Sequence, residues 1–220
     1  MDGCIVERSL ADVARANALF GGTRAVLAEL EIALAEVGGR LATTEITLLD
    51  VGTGVGDIPA RARESAERRG FTMRTVGVDR CEALARAARS DGLTTVQANA
   101  LALPFADRSV DIVMCSQLLH HFERARAIEL LREMDRVARL RVIVSDLRRS
   151  WLAAAGIWLA SFPLDFHPVS RHDGVVSVLR GFTRAELREM VSDAVNRPAR
   201  VHNRIGFRTT AAWTPSESPR

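Results

Sequence analysis

The sequence predicts an α/β fold, a mostly parallel sheet with helices on both faces. Three observations carry that expectation. Residues 46–59 (Ile-Thr-Leu-Leu-Asp-Val-Gly-Thr-Gly-Val-Gly-Asp-Ile-Pro) pass from an apolar, β-capable run through alternating glycines into the start of a helix. β-capable runs and helical periodicity then alternate as far as residue 145. Asp79 ends the second such run about 20 residues past the glycines, where nucleotide-type α/β folds keep an acid for ribose hydroxyls.

Taken in order, residues 5–37 read as two helices. Leu10, Val13, Ala14 and Asn17 precede a break at Gly21-Gly22. Thr23 then caps a run of Val26, Leu27, Leu30, Leu34 and Val37, which Gly38-Gly39 ends. Ile46, Leu48, Leu49 and Val51 form a strand buried on both faces. Asp57, an N-cap type residue, and Pro59 open a helix over 59–69, stopped by Gly70. Residues 72–78 are the second strand, 81–89 a helix and 93–97 the third strand. Residues 107–109 turn into a fourth strand, 110–115. Asp111 lies inside it, where a buried acid needs a partner, and is assigned to structure. A long helix over 125–138 turns Ile128, Leu131 and Met134 inward, and a fifth strand over 141–145 ends in Asp146. Residues 151–164 are apolar nearly all round, and 167–174 are a polar insert. Thr183 and Glu186 make a capping box that opens the last helix. Residues 199–214 alternate as a closing pair of strands, before a polar tail at 216–220.

Composition narrows the function classes. With 220 residues and 47% apolar content, one domain with a substantial core is expected. No apolar run reaches the ~18 residues of a membrane span, and the N-terminus lacks a signal-peptide pattern. Cys4, Cys81 and Cys115 are scattered without metal-ligand spacing, which points to a reducing cytoplasm and no metal. The formal charge is only +3, and the arginines alternate with acids, so nucleic-acid binding is not expected.

The spacing of the glycine turn selects its ligand. A dinucleotide fingerprint has a third glycine where this chain has Asp57, whose carboxylate would repel a pyrophosphate. Asp50-x-Gly52-x-Gly54-x-Gly56 instead resembles motif I of class I S-adenosylmethionine-dependent methyltransferases. Four further blocks resemble that family in the same order. They are Asp79; Asn99-Ala100-Leu101-Ala102-Leu103-Pro104-Phe105; the Asp111 strand followed by Leu119-His120-His121-Phe122; and Phe182-Thr183-x-x-Glu186-Leu187. Asn17-x-x-Phe20-Gly21-Gly22 is similar to the entrance of the ubiquinone/menaquinone-type, small-molecule branch, and equally fits plain helix–turn–helix punctuation.

The resemblance implies a Rossmann-like seven-stranded sheet of order 3-2-1-4-5-7-6. It divides the chain into an N-terminal helical lid (1–40), a cofactor-binding core (41–147), a substrate cap (148–182) and a C-terminal helix with closing strands (183–220). It implies S-adenosyl-L-methionine as cofactor, held by Asp50, Gly52, Thr53, Gly54, Gly56, Asp79, Arg80, Asn99, Ala100, Leu101, Ser116 and Gln117. The family carries Asp where Asn99 stands; an amide oxygen can still accept from an adenine amino group, without charge.

Methyl transfer from a sulfonium needs alignment and a base for the acceptor's proton, and histidine has a suitable pKa. His121, after the fourth strand, and His172, beside Asp173, are the candidate bases. Asn17, Phe20, His120, Arg148, Trp151, Trp158 and Arg171 are candidate substrate contacts, the arginines for an anionic group and the apolar 151–164 helix as a lid. That helix reads alternatively as buried or as the face of a homodimer. The expected partner is a small apolar acceptor, aromatic or polyketide-like, methylated at oxygen or carbon. A catalytically silent cofactor-binding subunit and, less favoured, a nicotinamide-dependent reductase are the alternatives.

Overall fold

The computed structural model describes residues 15, 19–38, 44–82, 84, 88 and 93–215. The helix expected before Gly21, with Asn17, most of the helix over 81–89 and the 216–220 tail lie outside the described residues. Seven strands make one sheet: β1 (Glu45–Val51), β2 (Thr72–Asp79), β3 (Thr94–Gln97), β4 (Val110–Ser116), β5 (Ala138–Leu147), β6 (Arg200–Arg204) and β7 (Arg208–Trp213). Their order is β3-β2-β1-β4-β5-β7-β6, as expected. Pairs from β3 to β5 are parallel, and β7 runs antiparallel to both β5 and β6. Six helices are described: α1 (Gly22–Gly38), α2 (Asp57–Glu67), α3 (Arg124–Val137), α4 (Trp151–Ala160), α5 (Pro168–Arg180) and α6 (Arg184–Val195).

Strand alternation sorts the core into two layers. Leu49, Val51, Val113, Cys115, Val142 and Val144 face α3 and α6, packing on Leu131, Met134, Leu187 and Met190. Ile46, Leu48, Ile112, Met114 and Ile143 face α1 and α2, against Val26, Leu30, Leu34 and Ala62. This is why β1 and β4 read as nearly continuous apolar runs. Asp111 interrupts β4 and is satisfied: Thr47 N and Oγ1 donate to its Oδ2 at 2.9 and 2.8 Å, and Arg139 donates to Oδ1. Trp213 Nε1 donates to Asp135 Oδ1 at 2.9 Å inside the core.

The structure corrects four local expectations. α1 begins at Gly22, so Thr23 lies buried in its first turn and does not cap it. Asp57 is the first helical residue of α2; Gly56 takes the cap at φ +83°, a left-handed conformation that glycine adopts without strain. β5 starts at Ala138, directly out of α3. Residues 168–174 are helix, the first turns of α5: Pro168 suits the first helical position and His167 Nδ1 accepts from Val169 N. The Thr183–Glu186 capping box is present as read.

α4 is capped by Ser150 and packs on α5 through Ala153, Ala154, Ile157, Val175 and Val178, with Leu147 beneath. Its other side stays outside: Trp151, Leu152, Trp158 and Leu159 are exposed, as is Phe162 just beyond.

Candidate active site

Parallel strands deliver their carboxyl ends to one edge, and the order reverses between β1 and β4, so a crevice opens there. The turn after β1 is tied to β2 by Gly52 N and Thr53 N, which donate to Val78 O at 2.7 and 3.0 Å. Gly52, Gly54 and Gly56 all have positive φ. A side chain at Gly52 would strike Leu118, whereas Gly54 faces open space, so the turn presents bare backbone at Gly54. Asp79 braces it: Oδ2 accepts from Gly54 N at 3.1 Å and Oδ1 from Cys81 N at 2.8 Å. The same carboxylate therefore caps the chain after β2 and keeps lone pairs for a diol.

The electrostatics of the turn favour a cation. Asp50 is buried, and desolvation pushes its pKa up to about 7, with Asp57 and Asp79 adding repulsion. Burial raises Asp57 as well. A ligand bearing an ammonium and a sulfonium fits this donor-poor, acid-rich turn, while a diphosphate would add charge of the same sign. Among the described residues, no group of His, Cys, Asp and Glu is placed to hold a metal ion.

Other expected cofactor contacts lie along the same edge. Asn99 is exposed and its Oδ1 accepts from Leu101 N at 3.1 Å, closing a tight turn that sets Ala100 and Leu101 against the core. Ser116 ends β4 with its hydroxyl buried, and Gln117 N donates to Ser145 O. Arg80 is exposed, its carbonyl accepting from Gln97 Nε2.

The histidines separate sharply. His120 is 5% exposed, and its Nδ1 lies 2.6 Å from Asp146 Oδ1. His120 N donates to Asp146 Oδ2 at 3.0 Å, and Leu147 N to Oδ1 at 2.6 Å. A buried carboxylate so held fixes the imidazole tautomer, leaving Nε2 as the basic nitrogen. His121 is its neighbour, ring centroids 4.3 Å apart, and is exposed; partial desolvation and then His120 lower its pKa. His172 is exposed on α5, and no hydrogen bond joins it to Asp173 among the described residues. It lines a cavity of about 210 Å³ with Trp158, Pro168, Arg171 and Val175. The Arg171 guanidinium stacks 3.9 Å over Phe162 and Arg148 lies 5.2 Å over Phe207. Trp151 stands exposed on α4, and Phe20 lines a second cavity, of about 410 Å³, between α1 and the β6–β7 turn. Neither Asp146 nor Arg208 is marked by a motif in the sequence. The signal for Asp146 was an acid at the end of a buried strand.

Residues 49–144 match the family model of the methyltransferase domain. A bovine (Bos taurus) protein, probable tRNA methyltransferase 9B, is 36% identical over 66 residues, 30% of this chain. The match spans only 15% of that relative's length. Two solved structures share the fold. Magnesium protoporphyrin IX methyltransferase from Synechocystis PCC 6803, with bound SAH, has a TM-score of 0.60 at 15% identity, over 89% of this chain and 84% of that one. The CMeT domain of the citrinin polyketide synthase has a TM-score of 0.62 at 13% identity, over 86% of this chain and 52% of that one.

Proposed function

We propose that this chain, whose residues 49–144 are a methyltransferase domain on the sheet of the class I S-adenosylmethionine-dependent methyltransferases, methylates oxygen or carbon of a small apolar acceptor, aromatic or polyketide-like. The observation that carries the reading is the buried His120–Asp146 pair beside the acid-flanked glycine turn. A base and a cation-favouring cradle at adjacent strand ends are what this chemistry requires.

The cofactor supplies a methyl group on a leaving group that is already positively charged. Asp50 and the Gly52–Gly56 turn hold its amino-acid part, Asp79 accepts from both ribose hydroxyls, and Asn99 and Leu101 meet the adenine. Asp146 orients His120, whose Nε2 takes the proton from the acceptor atom as that atom bonds to carbon. His121 and His172 stand nearer solvent and serve as substrate-facing groups. α4 and α5, with Trp151 and Trp158, close over the acceptor, and the protein works in the cytoplasm. The crowding of Asp50, Asp57 and Asp79 disfavours a nicotinamide dinucleotide.

Calorimetry tests the reading. S-adenosylhomocysteine should bind and NADPH should not. Asp79→Ala should weaken S-adenosylhomocysteine at least about 100-fold, the worth of two charge-assisted hydrogen bonds. Unchanged affinity would remove Asp79 as the ribose ligand, and no binding to the wild type would end the methyltransferase reading.

A further inference from the structure

Arg208 is the most deeply buried guanidinium of the sheet, 3% exposed at the start of β7. Its Nε and Nη1 have no hydrogen-bond partner among the described residues. Asp146, the acid whose charge acts on it, is committed to His120 and to Leu147 N. Burial pulls its pKa down to about 10, and Asp146 offsets that only in part. A buried charge left in this state is costly, so the arrangement calls for an anion that arrives from outside.

Three unpartnered hydroxyls gather on the same side. Ser145 lies opposite Thr210 and Leu147 opposite Arg208 in the antiparallel β5–β7 register. Residues facing each other across such a pair point to one face, and alternate residues share it. Thr210 Oγ1 donates to Glu29 of α1, which identifies that face as the α1 side. Ser116 sits beside Ser145 in the parallel β4–β5 register. The hydroxyls of Ser116, Ser145 and Thr23 are buried without a partner among the described residues. Glu36 meets Arg141 early in β5 while Glu29 meets Thr210 further along, so α1 runs against β5 and brings its N-terminus, with Thr23, to the carboxyl edge. A 17-residue helix adds positive potential there, and its first turn holds no acid.

We propose that Arg208, with Ser145, Ser116 and Thr23 around it, receives the carboxylate of an acidic acceptor. The inference rests on the methyltransferase reading and adds the substrate's charge to it. Glu29 on this face is already paired with Arg204 and Thr210, so the Arg208 guanidinium is the charge left over, and its planar fork matches a carboxylate. The cofactor's own carboxylate does not fill the place. It is carried on the same carbon as the ammonium held near Asp50, and β7 is three strands from β1, about 14 Å at the usual spacing. β4, which leads into His120, is two strands away, about 10 Å. Asp146, between Ser145 and Leu147, and the His120 ring paired with it point to the other face, so the acceptor is an acid that reaches over the carboxyl edge of the sheet, its carboxylate at Arg208 and its methylated atom near His120. Arg148 and Arg171, the arginines expected to hold such a group, are stacked on Phe207 and Phe162 instead.

The probes are benzoate and 4-hydroxybenzoate, each against its uncharged amide, titrated calorimetrically with and without S-adenosylhomocysteine. The wild type should bind the acids at least 10-fold more tightly than the amides. Arg208→Met should erase that preference and Arg208→Lys should keep part of it. Ligand-free Arg208→Met should unfold no earlier than the wild type, because an unpaired charge has been removed. Equal binding of acid and amide by the wild type, a preference that survives Arg208→Met, or an unfolding temperature lowered by several degrees would each overturn the proposal. Binding of S-adenosylhomocysteine, read separately, tells failure of this site from failure of the methyltransferase reading.

Discussion

His120→Ala should lower turnover about 100- to 10,000-fold, the usual contribution of a positioned general base, and leave affinity for S-adenosylhomocysteine within a few-fold of wild type. The expectation follows from geometry: both carboxylate oxygens of Asp146 are occupied, Oδ1 by the His120 ring at 2.6 Å and Oδ2 by its backbone N–H at 3.0 Å. Asp146→Asn keeps the shape but can present an N–H to the ring, which turns the tautomer so that Nε2 carries the proton. It should approach His120→Ala in turnover, again with cofactor binding retained. His121→Ala and His172→Ala, whose rings are exposed, should lose no more than a few-fold. Single-turnover assays at saturating cofactor measure all four. A large loss confined to His172→Ala would move the base to α5 and leave the buried pair as framework.

Asp50→Asn should stabilise the ligand-free protein and weaken its hold on the cofactor. The sign follows from linkage. Asp50 has a folded-state pKa of about 7 against 3.8 as a free side chain, so between those values the folded state holds a proton that the unfolded state has lost. Stability therefore falls as pH rises from 4 to 7, by at most ~4 kcal/mol, and is flat above. The variant lacks this slope, so its thermal midpoint should exceed the wild type's at pH 8 and converge on it at pH 4. Binding runs the other way. An ammonium beside Asp50 favours the ionised form, so wild-type affinity for S-adenosylhomocysteine should rise from pH 5 to 7 with proton release, visible in buffers of different ionisation enthalpy. Asp50→Asn should bind at least 10-fold more weakly at pH 8 and show no such rise. Identical pH profiles would remove Asp50 from the cofactor site.

What could be read in advance was local. The β1 strand, the glycine turn and Asp79 lie within one strand–helix–strand unit, and each is marked by its own residue types: apolar run, positive-φ glycines, acid at a strand tip. The capping box at Thr183 is equally self-announcing. α5 escaped because its opening residues, His167 to Gly174, are polar and carry a proline; their helical character depends on Pro168 standing first, not on periodicity. The His120–Asp146 pair escaped for a different reason. Twenty-six residues separate the two, and only the parallel β4–β5 pairing brings their ends together. Adjacency in sequence favoured His172 with Asp173 instead, and residues next to each other on a helix point to different sides. Arg208 was hidden among 30 arginines, and only burial distinguishes it.

The chain has no tyrosine, so tryptophan alone dominates its near-ultraviolet emission. Trp151 and Trp158 stand out on α4, while Trp213 is buried and bonded to Asp135. Fluorescence thus carries two separable voices: a red-shifted, iodide-quenchable component reports α4, and a blue-shifted, shielded one reports the sheet.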